Sequence, residues 1–308
     1  MGVKVFAPAS VANLAVGYDT LGLCLDGPGD EVIAEHSEVP GVTIAHVHGA
    51  DGKLPLDPRR NTAGVAAQAL LDAYGDASIG VSLKIRKRMP FGSGLGSSSA
   101  SAVAGAMAAN ELLRRPYQKR ELLPFVAAGE QVADGAWHLD NVAPSLLGGI
   151  VLVRDNATLD VHRLIMPNGL RVCVVHPEVQ ILTRDARAVL APTVSLEAHV
   201  RQQANLGGFI VGLYRGDLEL VARSLHDVTI EPQRAGLIPG FHAVQAAALA
   251  EGALGCSISG AGPSVFALCP NELTAEKAGN AMRDAFTAAG VQSTVYQSGI
   301  NVEGARLC

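Results

Sequence analysis

The sequence predicts a two-domain α+β protein, on three observations. Its 308 residues are 48% apolar and 17% charged, enough to bury a sizeable core in a chain too long for one small module. β-Branched runs alternate irregularly with Ala- and Leu-rich helical stretches, unlike the steady βαβ order of a parallel sheet. The turn Met166-Pro167-Asn168-Gly169 separates two halves of mixed character, giving units 1–165 and 166–308.

The elements follow in order. Val3–Phe6, Glu31–Ala34 and Val42–His46 are predicted strands, each bounded by Gly, Pro or Asp. Asn61–Tyr74 has apolar residues at helical spacing, and Val81–Ile85 alternates like a strand before the basic trio Arg86, Lys87 and Arg88. A Gly/Ser loop at Gly92–Ser99 leads into a helix over Ala104–Leu113. A helix follows at Arg120–Val132, regular structure breaks at Asn141–Gly149 through Pro144 and the glycine pair, and a strand returns at Ile150–Val153. The second unit opens with the strand Arg171–His176. Helices are predicted at Leu196–Tyr214, Leu218–His226, His242–Ala253 and Thr274–Ala289, a strand-loop-strand at Ser257–Leu268 and a strand at Ser293–Gln297.

Composition excludes several classes. The 34 glycines carry no three-residue period, so the chain is not collagen-like, and its apolar content excludes disorder as the dominant state. A net charge of −5, with no long run of either sign, argues against a nucleic-acid scaffold. The five cysteines Cys24, Cys173, Cys256, Cys269 and Cys308 form no CxxC pair and have no histidine at ligand spacing, against a disulfide framework or a structural zinc. The N-terminus does not read as a signal peptide, and the apolar stretch Ala100–Ala109 meets Asn110 and Glu111 before it could span a bilayer. The expectation is a soluble cytoplasmic protein without membrane or nucleic-acid partners.

The most informative stretch is Pro90-Phe91-Gly92-Ser93-Gly94-Leu95-Gly96-Ser97-Ser98-Ser99-Ala100. Its glycines let the backbone turn tightly, and the amides opening the next helix point outward with partial positive charge, which suits a polyphosphate. Adjacent serine hydroxyls suit the Mg²⁺ that travels with ATP. The loop lacks the lysine of a Walker A motif and the third glycine of a dinucleotide fingerprint. Gly96-Ser97-Ser98-Ser99-Ala100 approaches a nucleophile elbow but ends in alanine, so that reading is weakened and stays open. So does a plain strand-to-helix turn.

The loop resembles the phosphate loop of the GHMP kinases, and two further signatures of that superfamily occur in order. Ala7-Pro8-Ala9-Ser10-Val11-Ala12-Asn13-Leu14-Ala15-Val16-Gly17-Tyr18-Asp19-Thr20-Leu21-Gly22 is similar to the opening motif in its homoserine kinase form, and Ile258-Ser259-Gly260-Ala261-Gly262-Pro263-Ser264 to the third, a glycine loop that packs on the phosphate loop. The segments 140–144, 186–190 and 231–234 are similar to homoserine kinases in particular, so the likeness runs over nearly the full length. It implies a ribosomal S5 domain 2-like N-terminal domain, a ferredoxin-like C-terminal domain and a site between them that phosphorylates the hydroxyl of L-homoserine with ATP. By resemblance, residues Pro90 to Ala100 hold ATP, Ser98 and Glu130 hold Mg²⁺, and Asn13, Asp19, His138, Asp140, Arg187 and Arg234 hold the substrate. Asn61 and Val65 are the candidates for the adenine pocket. Homodimers are common in the family, and nothing in this sequence decides the matter.

Each role makes physical sense. A planar guanidinium forks onto a carboxylate better than an ammonium does, and Asp19 complements the substrate's ammonium. Without the resemblance, Glu130 reads as a helix-end carboxylate and the other charges as solvated faces or turn caps. Three positions depart from relatives. Asn141 stands where mevalonate and galactose kinases carry an aspartate base, and an amide cannot take a proton at neutral pH; it is assigned the orienting of the acceptor hydroxyl. Ser99 stands where the family usually has alanine, and Phe6 where some members carry a lysine. Another small-molecule GHMP kinase, such as a mevalonate kinase, and a non-catalytic nucleotide sensor are the alternatives.

Overall fold

The computed structural model describes residues 2–50, 52–134 and 138–308. Strands β1 (Val3–Ala12), β2 (Leu21–Ser37) and β3 (Gly41–His48) open the chain, followed by helix α1 (Thr62–Tyr74) and strand β4 (Gly80–Arg86). Helices α2 (Ser97–Leu112), α3 (Leu123–Asp134) and α4 (Leu139–Leu147) precede strands β5 (Ile150–Asp155) and β6 (Asp160–Leu164). The second half comprises β7 (Arg171–Pro177), α5 (Thr183–Ala188), α6 (Leu196–Arg215), α7 (Leu218–Ser224), α8 (Glu231–Arg234), α9 (Phe241–Ala250), β8 (Gly255–Ile258), β9 (Val265–Cys269), α10 (Glu272–Ala288), β10 (Ser293–Gly299) and β11 (Arg306–Leu307). No described helix is long and apolar enough to cross a membrane.

A seven-stranded sheet runs β11-β1-β2-β4-β3, with β5 on the first part of β2 and β6 on β5. A four-stranded antiparallel sheet, β10-β7-β9-β8, forms the second unit. The boundary at 165/166 falls between the strands of the two sheets, yet Ile300 bridges back to Leu25 and β11 pairs with β1, so the C-terminal tail returns to the first sheet.

α2 is the central helix of the first unit. It packs on β1, β2, α1, α3 and α4, and its Ala, Ser and Gly residues are nearly all buried. Small side chains are what let helices approach from several sides: a Cβ on Gly105 would sit 2.5 Å from the Ala63 carbonyl oxygen.

Three sequence expectations are corrected. β1 extends past Phe6 to Ala12, because pairing with β2 resumes after an irregularity between Pro8 and Ser10. The helix expected from Ala104 begins at Ser97, so the last serines of the loop already lie in its first turn. Asn141–Gly149, expected to be irregular, lies largely within α4. Pro144 removes the helix bond to the Asp140 carbonyl, and Gly22 packs so closely there that a Cβ would stand 1.7 Å from that oxygen. Ser145 Oγ donates to the Pro8 carbonyl (2.7 Å), tying the helix to β1.

Candidate active site

A cavity of about 910 Å³ lies between the two units. The first unit contributes the turn after β1, the loop entering α2, and parts of α3 and α4. The second contributes α5, Arg234 and the loop between β8 and β9.

The loop's shape depends on two glycines. Gly96 caps α2 with φ +67°, and a Cβ there would lie 2.2 Å from Ser10 Oγ and 2.9 Å from Asn141 Oδ1. Gly94 has φ +74°, and its Cβ would meet the Ser259 carbonyl oxygen at 2.5 Å. The glycine-rich loop of the second unit packs here: Ser259 Oγ donates to the Gly94 carbonyl (2.7 Å), and Ser264 N donates to the Ser93 carbonyl (3.3 Å). Gly96→Ala is therefore expected to abolish turnover while leaving the chain folded, checked by ADP release alongside circular dichroism.

Phe91, Gly92, Ser93, Gly94, Gly96, Ser97 and Ser98 line the cavity. Leu95, Ser99 and Ala100 are fully buried and do not line it, so their part is to seat the loop, and Pro90 also lies outside the lining. The Ser99 hydroxyl is turned into the protein rather than toward a phosphate. Ser98 Oγ donates to Glu130 Oε1 (2.9 Å), and Glu130 is buried. A hydroxyl and a carboxylate brought together beside a row of outward amides is a donor set that fits a hard divalent cation sharing its other positions with phosphate and water. Ser10 Oγ donates to Asn141 Oδ1 (2.9 Å), which leaves the Asn141 NH₂ as the group able to meet another acceptor.

All six residues assigned to the substrate line the cavity. The turn after β1 puts Asn13, Leu14, Ala15 and Asp19 at positive φ. Asn13 holds this turn by accepting from Asp19 N (3.0 Å) and donating to the Gly260 carbonyl (2.9 Å). Arg187 meets Asp19 bidentately (3.0 and 3.3 Å) and also contacts Tyr18 Oη (2.9 Å) and His138 Nε2 (2.9 Å). Arg234 is 3% exposed and donates only to neutral acceptors: the Ala186 carbonyl (2.9 Å), the Gly260 carbonyl (3.1 Å) and Tyr18 Oη (3.4 Å). Among the described residues its charge thus has no anion in direct contact. The Tyr18 ring lies against both guanidinium groups, 5.7 Å from that of Arg187 and 5.1 Å from that of Arg234.

Asp140 is buried, and its Oδ1 has no hydrogen-bond partner among the described residues. Burial, then the negative charge of Asp19, raises its pKa to about 7. In the unfolded chain Asp140 returns to its ordinary value near 3.8. Its contribution to stability is therefore full at acid pH and is lost as pH rises from about 4 to 7. Asp140→Asn should lessen the fall in Tm between pH 5 and pH 8, as thermal unfolding in matched buffers would report; an unchanged difference would contradict the assigned burial.

Of the two adenine candidates, Asn61 lines the cavity and Val65 does not. Tyr18, Lys87 and Arg184 line it and were not among the sequence candidates. Tyr18 had a signal available, since it lies inside the opening motif beside Asp19.

A loop of amides at a helix start, a hydroxyl–carboxylate pair and a charged cavity between two α+β units fit the class of small-molecule kinases of the GHMP type. Residues 61–149 match the GHMP kinases N terminal domain, and residues 209–288 match the GHMP kinases C terminal domain. The homoserine kinase of Chlorobium phaeovibrioides is 46% identical over 99% of both chains, and that of Xylella fastidiosa is 46% identical over 99% of this chain and 93% of its own. The crystal structure of homoserine kinase from Cytophaga hutchinsonii superposes with a TM-score of 0.97 at 46% identity, covering 100% of this chain and 97% of that one. The chain belongs to the homoserine kinase family of the GHMP kinases.

Proposed function

We propose that this chain transfers the γ-phosphoryl group of ATP to the side-chain hydroxyl of L-homoserine, a step toward threonine. The observation that carries the acceptor assignment is Arg234, a buried guanidinium with neutral partners only, beside the Arg187–Asp19 pair. An amino acid brings a carboxylate to the arginines and an ammonium to Asp19 and Asp140, and so compensates each charge. An uncharged alcohol or a hydroxy acid without an ammonium would bring no cation to Asp140, whose Oδ1 has no partner among the described residues. The names of the relatives agree with this substrate.

Residues 90–100 are assigned the triphosphate. Gly92, Gly94 and Gly96 keep the backbone close to it, and the amides at the start of α2 face its charge. Ser98 and Glu130 would hold Mg²⁺, which would supply charge neutralisation for the transferring phosphoryl group. Asn13 fixes the turn that presents Asp19, and His138 contacts the same Arg187 nitrogen that pairs with Asp19. Asn141 donates its NH₂ to the acceptor hydroxyl and aligns it for in-line attack. As the new O–P bond forms and the bond to ADP breaks, the hydroxyl proton leaves to the phosphoryl oxygens or to water, since Asn141 cannot accept it. Asn141→Ala should lower kcat by about 100-fold at saturating substrates; an unchanged kcat would refute the orienting role.

A cytoplasmic location belongs to the same reading, supported by the need for ATP and a small metabolite. A homodimer is proposed from family likeness, and sedimentation at several concentrations would test it. The decisive experiment for the function is ADP release with Mg²⁺-ATP and, separately, L-homoserine, mevalonate, L-serine or no acceptor. Turnover with homoserine is expected to dominate. Turnover with mevalonate alone would overturn the acceptor, and none with any acceptor would make the chain a nucleotide sensor.

A further inference from the structure

Lys87, from the basic trio at the end of β4, is the one member of that trio turned inward: its side chain is 6% exposed and pairs with Asp30 of β2, which is 0% exposed. The Lys87 ammonium also donates to the Ser97 carbonyl (2.7 Å) and Ser101 Oγ (2.7 Å). Asp30 Oδ2 accepts from Ser97 Oγ (3.2 Å) and Ser101 Oγ (3.1 Å), while its Oδ1 accepts from Arg88 N (3.0 Å). One buried ion pair thus grips both ends of the loop, the strand end entering it at Arg88 and the first turn of α2 leaving it at Ser97 and Ser101. Ser98 lies between those two helix residues and points to Glu130. Rotating or sliding the first turn of α2 would move Ser98 and the loop amides together.

We propose that Asp30 and Lys87 are positioning residues that set the aim of the phosphate loop and so determine nucleotide affinity. The pair costs desolvation of two charges that a well-packed apolar pair would avoid. Its return is geometric, since neither the strand nor the helix alone fixes the spacing of the two loop ends. Lys87 also borders the cavity.

This proposal rests on residues 90–100 being the phosphate loop and not on the acceptor. Its test is therefore binding of Mg²⁺ with a non-hydrolysable ATP analogue to the full chain, with no acceptor present. Lys87→Met leaves Asp30 as a buried unpaired charge, so the informative variant is Lys87→Met with Asp30→Asn, which removes both charges at similar volume. The double variant should unfold near the wild-type Tm yet bind the analogue at least about 10-fold more weakly. L-Homoserine affinity, measured separately, should be unchanged. Wild-type nucleotide affinity in the folded double variant, or an equal loss for nucleotide and homoserine, would overturn the proposal. If the double variant does not fold, Ser101→Ala decides: it keeps the ion pair and removes the hydroxyl that both accepts from Lys87 and donates to Asp30, one of the pair's two attachments to α2 beside Ser97. A loss of several-fold in nucleotide affinity is expected, and none would overturn the assignment.

Discussion

Replacing Arg234 by leucine is expected to raise the KM for L-homoserine by about 100-fold or more while the KM for ATP stays within about threefold of wild type. Truncating one member of a desolvated charge pair costs about 2–5 kcal/mol, and each 1.4 kcal/mol is tenfold in affinity. Arg234 meets the conditions for a large effect. It is buried, it is fixed by two backbone carbonyls, and among the described residues the acceptors it bonds are neutral. Burial lowers its pKa from the ordinary guanidinium value, as does the nearby Arg187, yet a guanidinium stays charged throughout the physiological range. Steady-state kinetics varying each substrate in turn would check this. Equal rises in both KM values would show that Arg234 holds the domains together rather than the acceptor.

Glu130→Gln is expected to lower kcat by about 1000-fold and to raise the Mg²⁺ concentration needed for half-maximal rate. Glutamine preserves the shape and can still accept from Ser98, but it removes the negative charge that would hold a cation. The effect is confined to chemistry if the variant's Tm and its homoserine affinity match wild type. A kcat within about threefold of wild type at saturating Mg²⁺ would remove Glu130 from the metal site. The serine and glutamate are 32 positions apart in sequence and 2.9 Å apart in space, so their partnership is a product of α2 packing on α3.

Several features of the fold were open to the sequence because they are local. Glycine spacing in 92–96, alanine and serine richness from 97 onward, and β-branched runs each act within one element, where propensity and turn chemistry decide. The likeness to homoserine kinases extended this to the substrate residues, and the fold gathers all six of them in one cavity. Local signals failed where tertiary contacts override them. Pro144 reads as a breaker, yet α4 continues through it because the freed Asp140 carbonyl is packed against Gly22 and Ser145 is tied to Pro8. β1 reads as ending at Phe6, yet a partner strand carries it through Pro8 to Ala12.

By itself, then, the sequence carried the two-domain α+β class, because apolar content and strand and helix patterning are local, and its likeness to homoserine kinases supplied the expectation of a phosphate loop and of the charged residues assigned to the acceptor. The tertiary fold alone decided which groups meet. Asp30 and Lys87 are 57 positions apart, and Tyr18 lies 169 from Arg187 and 216 from Arg234. Such pairings arise from sheet register and from closure of one unit on the other, and no one-dimensional spacing encodes them. Burial also decided what each charge does: in water Asp140 would be an ordinary carboxylate and Arg234 a solvated cation. In the cavity wall burial pushes one up to about 7, and the other bonds only neutral acceptors among the described residues. Charges left this way suit the zwitterionic acceptor proposed for the site.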